Sequence, residues 1–282
     1  MKERILKDHT KVPSLGQGTW HLGEHPGRRA DEIAALRWGI AHGMTLIDTA
    51  EMYGNGASEE LIGEAIADQK RKNLYLVSKV YPWNAGEDHI FQACEDSLNR
   101  LETDYLDLYL LHWRGGVPLE ETVSCMEELK AQGKILNWGV SNFDVNDMED
   151  LMEAGGQNCM VDQVLYHLGS RGIELKLMPW LKQHQILTMA YCPLAEAGTL
   201  RTALLRSPVI LNIAQAHQCT PFQILLAFTM LDDTMITIPK ASTIEHVRQN
   251  HDTLKIAFSQ DEIDALNQAF PKPSHVTGLD MQ

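Results

Sequence analysis

The sequence predicts an α/β protein built on a parallel sheet, because apolar strand patterns alternate with amphipathic helix patterns along its 282 residues. Eight strand-then-helix units follow one another, with no linker-like or low-complexity stretch between them. Three consecutive strands end in a titratable residue, Asp48, Lys79 and His112, at intervals of roughly 30 residues, about one strand-plus-helix unit. Eight such units in about 250 residues are typical of a (β/α)8 barrel of the TIM type.

We therefore predict a single barrel domain over residues 1–282, with an N-terminal β-hairpin and extra helices near the C-terminus. An open doubly wound sheet is the alternative, since eight strands alone do not exclude it. The first strand, however, leads into Gly16-Gln17-Gly18-Thr19-Trp20, which lacks the third glycine and the helix of a dinucleotide-binding fingerprint. A phosphate loop of the Gly-x4-Gly-Lys-Ser/Thr type is also missing from the sequence.

The first half of the chain opens with a small hairpin, in which residues 5–7 and 11–13 flank a turn. The first barrel strand and its loop follow at residues 15–20. Asp31 and Ser58 are the predicted N-caps of the first two helices. The third helix has the clearest pattern, because its inward positions follow a 3.6-residue spacing: Ile90, Ala93, Cys94, Ser97, Leu98 and Leu101.

The second half repeats the alternation, with strand patterns at residues 135–140, 160–164, 186–191 and 235–238. Four residues mark predicted helix starts: Asp144, Thr220, Thr243 and Ser259. Thr220 and Ser259 each begin a capping box, because Gln223 and Glu262 follow them by three positions.

Composition excludes several classes of function. A net charge of −14 argues against non-specific binding to nucleic acid or to anionic membranes. Because the sequence shows neither a signal-peptide core nor an apolar run long enough to cross a bilayer, we expect a cytoplasmic protein. The 5 cysteines are far apart and the 12 histidines form no His-x-His or His-Glu-x-x-His pattern, so we predict no metal site. We expect a small-molecule substrate and a monomer or weak homodimer.

Asp48, Lys79 and His112 are predicted to meet at one rim of the barrel, because the carboxyl ends of parallel strands share that rim. Tyr53 lies five residues after Asp48 and can reach over them from its loop. A lysine ammonium beside a tyrosine favours the phenolate, so we expect Lys79 to lower the pKa of Tyr53. A carboxylate holds the lysine, and the histidine can orient a substrate oxygen. The set suits proton donation to a carbonyl oxygen while a nicotinamide cofactor supplies a hydride.

Each of these residues alone is more often structural than catalytic, since strand ends commonly carry turn-forming and ion-paired side chains. Their joint placement on consecutive strands favours the catalytic interpretation. Two alternatives stay open at this point. One is a metal-dependent hydrolase or isomerase, which also uses a barrel rim. The other is a non-catalytic module that binds a nicotinamide and acts as a redox sensor.

Five motifs resemble those of the aldo-keto reductases, in that family's order and over nearly the whole chain: Asp48-Thr49-Ala50-x-x-Tyr53-Gly54, Val77-Ser78-Lys79, residues 107–113 with His112 and Trp113, Gly139-Val140-Ser141-Asn142-Phe143, and Ile238-Pro239-Lys240. Residues 80–84 and 165–172 are most similar to a bacterial branch that includes methylglyoxal reductases. The resemblance implies an NAD(P)H-dependent carbonyl reductase. It implies Tyr53 as general acid, His112 as the residue that orients the carbonyl, and Lys79 and Asp48 as residues that tune the tyrosine.

The same resemblance implies a cofactor site for NADP(H), with NAD(H) possible, that includes Asp48. Ser141, Asn142 and Gln163 match residues that hold the nicotinamide carboxamide, and Tyr191 matches the ring that stacks on the nicotinamide. The other implied cofactor residues are Gly18, Thr19 and Trp20 in the first loop, Leu194 and Gly198 near the pyrophosphate, and Lys240, Ser242, His246 and Asn250 at the adenosine end.

Trp20, Trp83 and Trp113 each follow a strand, and with His112 they are predicted to wall a carbonyl pocket. The chain ends about twelve residues after Phe270, whereas many family members have a longer tail, so a more open site is expected. Two departures stand out. Cys192 replaces a serine that often follows the stacking tyrosine, which makes oxidation possible. His246 replaces an arginine that typically binds the 2′-phosphate, and Arg248 lies on the wrong face of its helix.

Overall fold

The structure, a computed structural model, describes residues 2–281. Those residues form ten strands, in chain order: β1 (Glu3–Ile5), β2 (Lys11–Pro13), β3 (Gln17–Gly18), β4 (Leu46–Asp48), β5 (Tyr75–Val80), β6 (Leu106–Leu111), β7 (Ile135–Ser141), β8 (Val161–Leu165), β9 (Leu187–Tyr191) and β10 (Met235–Thr237). Within this described range, eleven α-helices accompany them: α1 (Arg29–Ala41), α2 (Ala57–Ile66), α3 (Ile90–Leu101), α4 (Leu119–Ala131), α5 (Val145–Glu153), α6 (Leu177–Gln183), α7 (Thr199–Leu205), α8 (Pro208–Ala216), α9 (Pro221–Thr229), α10 (Ile244–Asp252) and α11 (Gln260–Ala269).

Strands β3 to β10 form one parallel sheet in sequential order. The sheet closes on itself, because Leu15 pairs with Thr237 and Gly18 pairs with Lys240 in parallel bridges. The backbone amide of Gly16 donates to the carbonyl of Thr237 at 2.8 Å. The predicted (β/α)8 barrel is therefore confirmed over the open sheet. Gly18 is required at this seam, since a Cβ there would lie 2.7 Å from the carbonyl oxygen of Ile238.

Two apolar layers hold the barrel together. Side chains that point inward from the strands, such as Leu46, Leu108 and Met189, form an interior cluster. Leu6 and Val12 of the β1–β2 hairpin belong to the same cluster, so the hairpin closes the N-terminal end of the barrel. A larger cluster fills the space between the strands and the surrounding helices. The opposite, C-terminal end is left open for a site.

Most of the helix starts and buried helix positions predicted from the sequence are confirmed. All six inward positions predicted for α3 are buried. Asp144, Thr220 and Ser259 each form a capping box, and the hydroxyl of Thr243 accepts from the backbone amide of His246. Two predicted caps are wrong, because α1 and α2 start before Asp31 and Ser58. The predicted extra helices are α7 and α8, which follow β9, and α11, which follows α10.

No helix between residues 2 and 281 is long and apolar enough to cross a bilayer.

Candidate active site

Lys79 lies at the centre of the open rim, at the C-terminal end of β5. Its ammonium donates to Asp48 Oδ2 at 2.9 Å, to the carbonyl oxygen of Thr49 at 2.8 Å and to the Tyr53 hydroxyl at 3.0 Å. Lys79 is 0% exposed and Asp48 is 2% exposed. The spacing argument had placed these residues at one rim, and the structure brings their polar atoms into direct contact.

Tyr53 is held by a tight turn that follows β4. Gly54, Asn55 and Gly56 have φ angles of 58°, 52° and 92°, a left-handed run that glycine tolerates best. A Cβ on Gly56 would lie 2.5 Å from Cδ of Arg100, so the turn packs directly on that side chain.

The turn and strand β5 both contact one ion pair, in which Glu59 is buried and Arg100 is partly buried. Arg100 Nε donates to Glu59 Oε2 at 2.7 Å. The other oxygen of Glu59 accepts from the hydroxyl of Ser78 at 2.5 Å. Ser78 precedes Lys79, and Arg100 lies beneath the turn that carries Tyr53. The pair therefore fixes the position of Tyr53 relative to Lys79 from behind the site.

Burial dominates the electrostatics of this group. Burial, with a smaller contribution from Asp48, raises the pKa of the Tyr53 hydroxyl well above its ordinary value. The expectation that Lys79 lowers the pKa of Tyr53 is wrong, because desolvation penalises the phenolate and Asp48 offsets the lysine charge. Burial also raises the pKa of Asp48 and lowers the pKa of Lys79, and the attraction within the pair opposes both shifts. Tyr53 is consequently protonated at neutral pH, as a proton donor must be.

His112 is a neutral imidazole. Burial, reinforced by the charge of Lys79, lowers the pKa of His112 to about 2. Its Nδ1 is buried and has no hydrogen-bond partner among the described residues. A buried N–H without an acceptor is rarer in proteins than a buried lone pair without a donor, so we place the single ring proton on Nε2. The ring lies edge-on to Tyr53, with 5.8 Å between the ring centroids.

A cavity of about 310 Å³ opens above these residues. Twelve of the predicted site residues line it: Gly18, Thr19, Trp20, Asp48, Tyr53, His112, Trp113, Ser141, Asn142, Gln163, Tyr191 and Lys240. Trp83 does not line it, which corrects one predicted pocket wall. Its side chain is 60% exposed and stacks on Tyr81, with its edge toward Trp113.

One side of the cavity is a network of amide and hydroxyl groups. Asn142, with a left-handed φ of 60°, donates to the carbonyl oxygen of His112 and to the Ser141 hydroxyl, both at 3.2 Å. Its amide oxygen accepts from the Tyr191 hydroxyl at 2.8 Å. The Ser141 hydroxyl donates to the carbonyl oxygen of Gln163 at 2.8 Å. These bonds fix the Tyr191 ring and the Gln163 backbone as walls of the cavity.

Five predicted cofactor residues lie outside the wall of this cavity: Leu194, Gly198, Ser242, His246 and Asn250. Leu194 packs partly buried against the apolar core, and Gly198 precedes α7. Ser242, His246 and Asn250 lie at or near α10, where His246 is exposed and Asn250 is buried. Arg248 is paired with Glu245 on its own helix.

Four lining residues were not predicted to face the cavity: Met52, Cys192, Ile238 and Met281. Met52 and Ile238 lie within two of the predicted site motifs, a signal that could have found them. Cys192 was singled out only as a departure; burial raises the pKa of its thiol to about 12, which keeps it protonated and disfavours oxidation. Nothing in the local pattern indicates Met281.

The C-terminal tail packs against the loop after β8, and this contact places Met281 at the cavity. Leu279 packs against the core, Asp280 accepts a hydrogen bond from the Ser170 hydroxyl, and Gly172 lies beside Thr277. The short tail therefore supplies one wall of the cavity, and a site more open than in longer-tailed family members stays a prediction.

Between residues 2 and 281, no three His, Cys, Asp or Glu side chains cluster so as to hold a metal ion. The alternative of a metal-dependent hydrolase or isomerase thus lacks a set of ligands in the described chain.

Comparison with known proteins places the chain among reductases. A family model described as the aldo/keto reductase family matches residues 14–270. Methylglyoxal reductase YeaE of Escherichia coli strain K12 is 54% identical over 284 residues, which cover 100% of both chains. An aldo/keto reductase from Klebsiella pneumoniae has been solved with NADP and acetate, and again with NADPH. Each of these structures aligns with a TM-score of 0.96 at 51% identity and covers 100% of both chains.

Proposed function

The chain belongs to the aldo/keto reductase family, and from that premise we propose that it is an NADPH-dependent reductase of small aldehydes and 2-oxoaldehydes, with Tyr53 as general acid. The observation that carries the proposal is the contact of 3.0 Å between the Lys79 ammonium and the Tyr53 hydroxyl in the wall of the cavity. The family membership makes the chain an oxidoreductase. The substrate class and the roles of single residues are the proposal.

The residues of the site fit a reduced nicotinamide. The cavity has one flat aromatic wall at Tyr191, an amide at Gln163 and a cationic side chain at Lys240. Tyr191 and Gln163 provide a stacking surface and a hydrogen-bonding group for a ring that carries a carboxamide. When bound, the cofactor supplies a hydride to the carbonyl carbon. The relatives solved with NADP and NADPH support the choice of cofactor.

The protein's own groups then handle the carbonyl oxygen. Neutral His112 donates from Nε2 to that oxygen and sets its direction toward Tyr53. Tyr53 gives its proton to the oxygen as negative charge develops there, because an alkoxide is a stronger base than a phenolate. Lys79 donates a hydrogen bond to the phenolate that remains, and Asp48 balances the lysine charge. The product is an alcohol, the nicotinamide is oxidised, and Tyr53 regains a proton from solvent.

The 54% identity to a methylglyoxal reductase supports a small 2-oxoaldehyde as substrate. The apolar walls at Trp20, Trp113 and Met281 also suit aromatic aldehydes. A panel of methylglyoxal, benzaldehydes, sugars and steroids, assayed by loss of NADPH absorbance, tests this choice. Reduction of sugars or steroids but of neither aldehyde class would show that the proposed substrate class is wrong.

Tyr53→Phe tests the mechanism. We expect normal NADPH binding and a loss of turnover of about 10²–10⁴-fold, the usual contribution of a general acid. Tyr105→Phe is the control, since Tyr105 precedes β6 at the far end of the barrel and should retain full turnover. Turnover of Tyr53→Phe within threefold of wild type would refute the assignment. Absence of any wild-type turnover would instead support the redox-sensing alternative.

For assembly and location, we propose a monomer or weak homodimer that acts in the cytoplasm. Sedimentation and cell fractionation test these two points.

A further inference from the structure

Gln163 connects the cofactor side of the cavity to the proton-donating group. Its amide nitrogen donates to Asp48 Oδ1 at 2.7 Å and lies 3.0 Å from the sulfur of Met189. Asp48 Oδ2 accepts from Lys79 at 2.9 Å, so the two oxygens of this carboxylate have different donors. Gln163 is 1% exposed.

We propose that Gln163 is a positioning residue that keeps Asp48 ionised and thereby keeps Lys79 charged beside Tyr53. This inference rests on the proposed reductase function, and it adds a role for Gln163 beyond cofactor binding. The nicotinamide site and the proton donor then share one amide group.

The physical basis is the cost of burying two opposite charges. In a desolvated site, Lys79 can pass its proton to Asp48 and leave a neutral pair, which burial favours. Several interactions oppose this transfer: the attraction between Lys79 and Asp48, the bonds from Lys79 to the Thr49 carbonyl and the Tyr53 hydroxyl, the charge of Glu59, and the bond from Gln163 to Asp48. Only the last comes from outside the segment that runs from β4 to β5.

Other polar groups around the pair do not replace Gln163. Tyr53 accepts from Lys79 and does not contact the free side of Asp48. Glu59 lies behind β5 and favours the charged form of Lys79 from a distance, whereas neutral His112 adds no charge. The thiol of Cys192 is protonated. The donor to Asp48 Oδ1 is therefore specific to Gln163.

The bond also sets the orientation of the Gln163 amide. A carboxylate only accepts hydrogen bonds, so the amide nitrogen must face Asp48. The amide oxygen is then the atom left for a ligand. Gln163 would accept a bond from the nitrogen of the nicotinamide carboxamide while it donates to Asp48.

Gln163→Met tests the proposal, because methionine has a similar length and no donor. We expect infrared difference spectra of the full-length variant minus wild type, without cofactor, to show one carboxyl carbonyl stretch, from protonated Asp48, in addition to that of Asp162, which is protonated in both proteins and cancels. The band should vanish in Asp48→Asn/Gln163→Met. Because this readout needs no turnover, it separates failure of the inference from failure of the proposed function.

Kinetics provide the second measurement. At saturating NADPH we expect Gln163→Met to lower kcat by about ten- to hundredfold, the effect of losing one charge-assisted hydrogen bond. Adding the same change to Asp48→Asn should lower kcat by less than twofold, because the carboxylate is already gone.

Ser141→Ala is the matched control, since Ser141 contacts the Gln163 backbone and not Asp48. It should weaken NADPH binding without the new infrared band. If Gln163→Met shows no new carboxyl band, or if its effect on kcat is equally large in the Asp48→Asn background, the inference is wrong. Thermal melting of each variant identifies any that fails to fold, and Gln163→Leu then replaces Gln163→Met.

Discussion

Asp162→Asn is expected to stabilise the protein at neutral pH and to do so less as the pH falls. Asp162 lies on β8, is 0% exposed, and no side chain among the described residues hydrogen-bonds to its carboxyl. Burial raises the pKa of Asp162 well above its ordinary value against the opposing effect of the Phe143 backbone amide, and the charges of Asp147 and Asp144 act in the same direction as burial. The folded protein therefore keeps this carboxyl protonated where the unfolded chain has released the proton.

The direction of this change in stability with pH follows from the difference in bound protons between the folded and unfolded states. Below the unfolded pKa, near 4, both states hold the proton and the group has no effect on stability. Above it the folded state binds the extra proton, so the free energy of unfolding falls by about 1.4 kcal/mol per pH unit until the folded pKa is reached. Between pH 4.5 and pH 6.5 the wild type loses up to about 2.7 kcal/mol through this group. Because asparagine does not ionise, the Asp162→Asn variant does not lose this stability.

Urea unfolding of wild type and Asp162→Asn at pH 4.5, 5.5 and 6.5, followed by circular dichroism, measures the difference directly. Asp68→Asn is the control, because the Asp68 side chain is 81% exposed and its difference from wild type should be nearly constant with pH. A difference between Asp162→Asn and wild type that is the same at all three pH values would refute the reasoning.

Two further predictions concern the ends of the binding site. His246→Arg should tighten NADPH roughly tenfold, as expected for a charge-assisted contact with the 2′-phosphate, and leave NADH unchanged. An NADPH affinity that the arginine substitution leaves unchanged would place exposed His246 outside the phosphate site. Met281→Ala should raise the KM for benzaldehyde several-fold through lost apolar contact while kcat stays near wild type, whereas Val276→Ala, outside the cavity wall, should change neither. An unchanged KM would mean that Met281 does not contact the substrate.

The rim of the site was predictable because it depends on periodicity. Asp48, Lys79 and His112 each lie within one residue of a strand end, and parallel strands in a closed barrel place those ends together whatever the intervening helices contain. The capping boxes at Thr220 and Ser259 were equally readable, because a cap is formed within four residues. The N-caps of α1 and α2 were missed, since Asp31 and Ser58 sit within the first turns of helices that begin earlier.

Properties that depend on burial were not readable from pattern. The pKa of Tyr53 rises because folding removes its hydroxyl from water, and the identity of its neighbours had suggested the opposite. The bond from Gln163 to Asp48 joins residues 115 positions apart. The ionic state of Lys79 thus depends on a residue that local spacing does not connect to it.

Local pattern was sufficient for the barrel, its hairpin and the rim that carries Asp48, Lys79 and His112, because each follows from repeats of strand and helix that a short stretch of chain already contains. Packing between distant segments was needed to seat Met281 in the cavity wall, to leave Trp83 outside it, and to place Gln163 against Asp48. Those outcomes depend on how the C-terminal tail, the loop after β5 and strand β8 meet around one rim. Only the closed barrel brings these segments close enough for their side chains to touch.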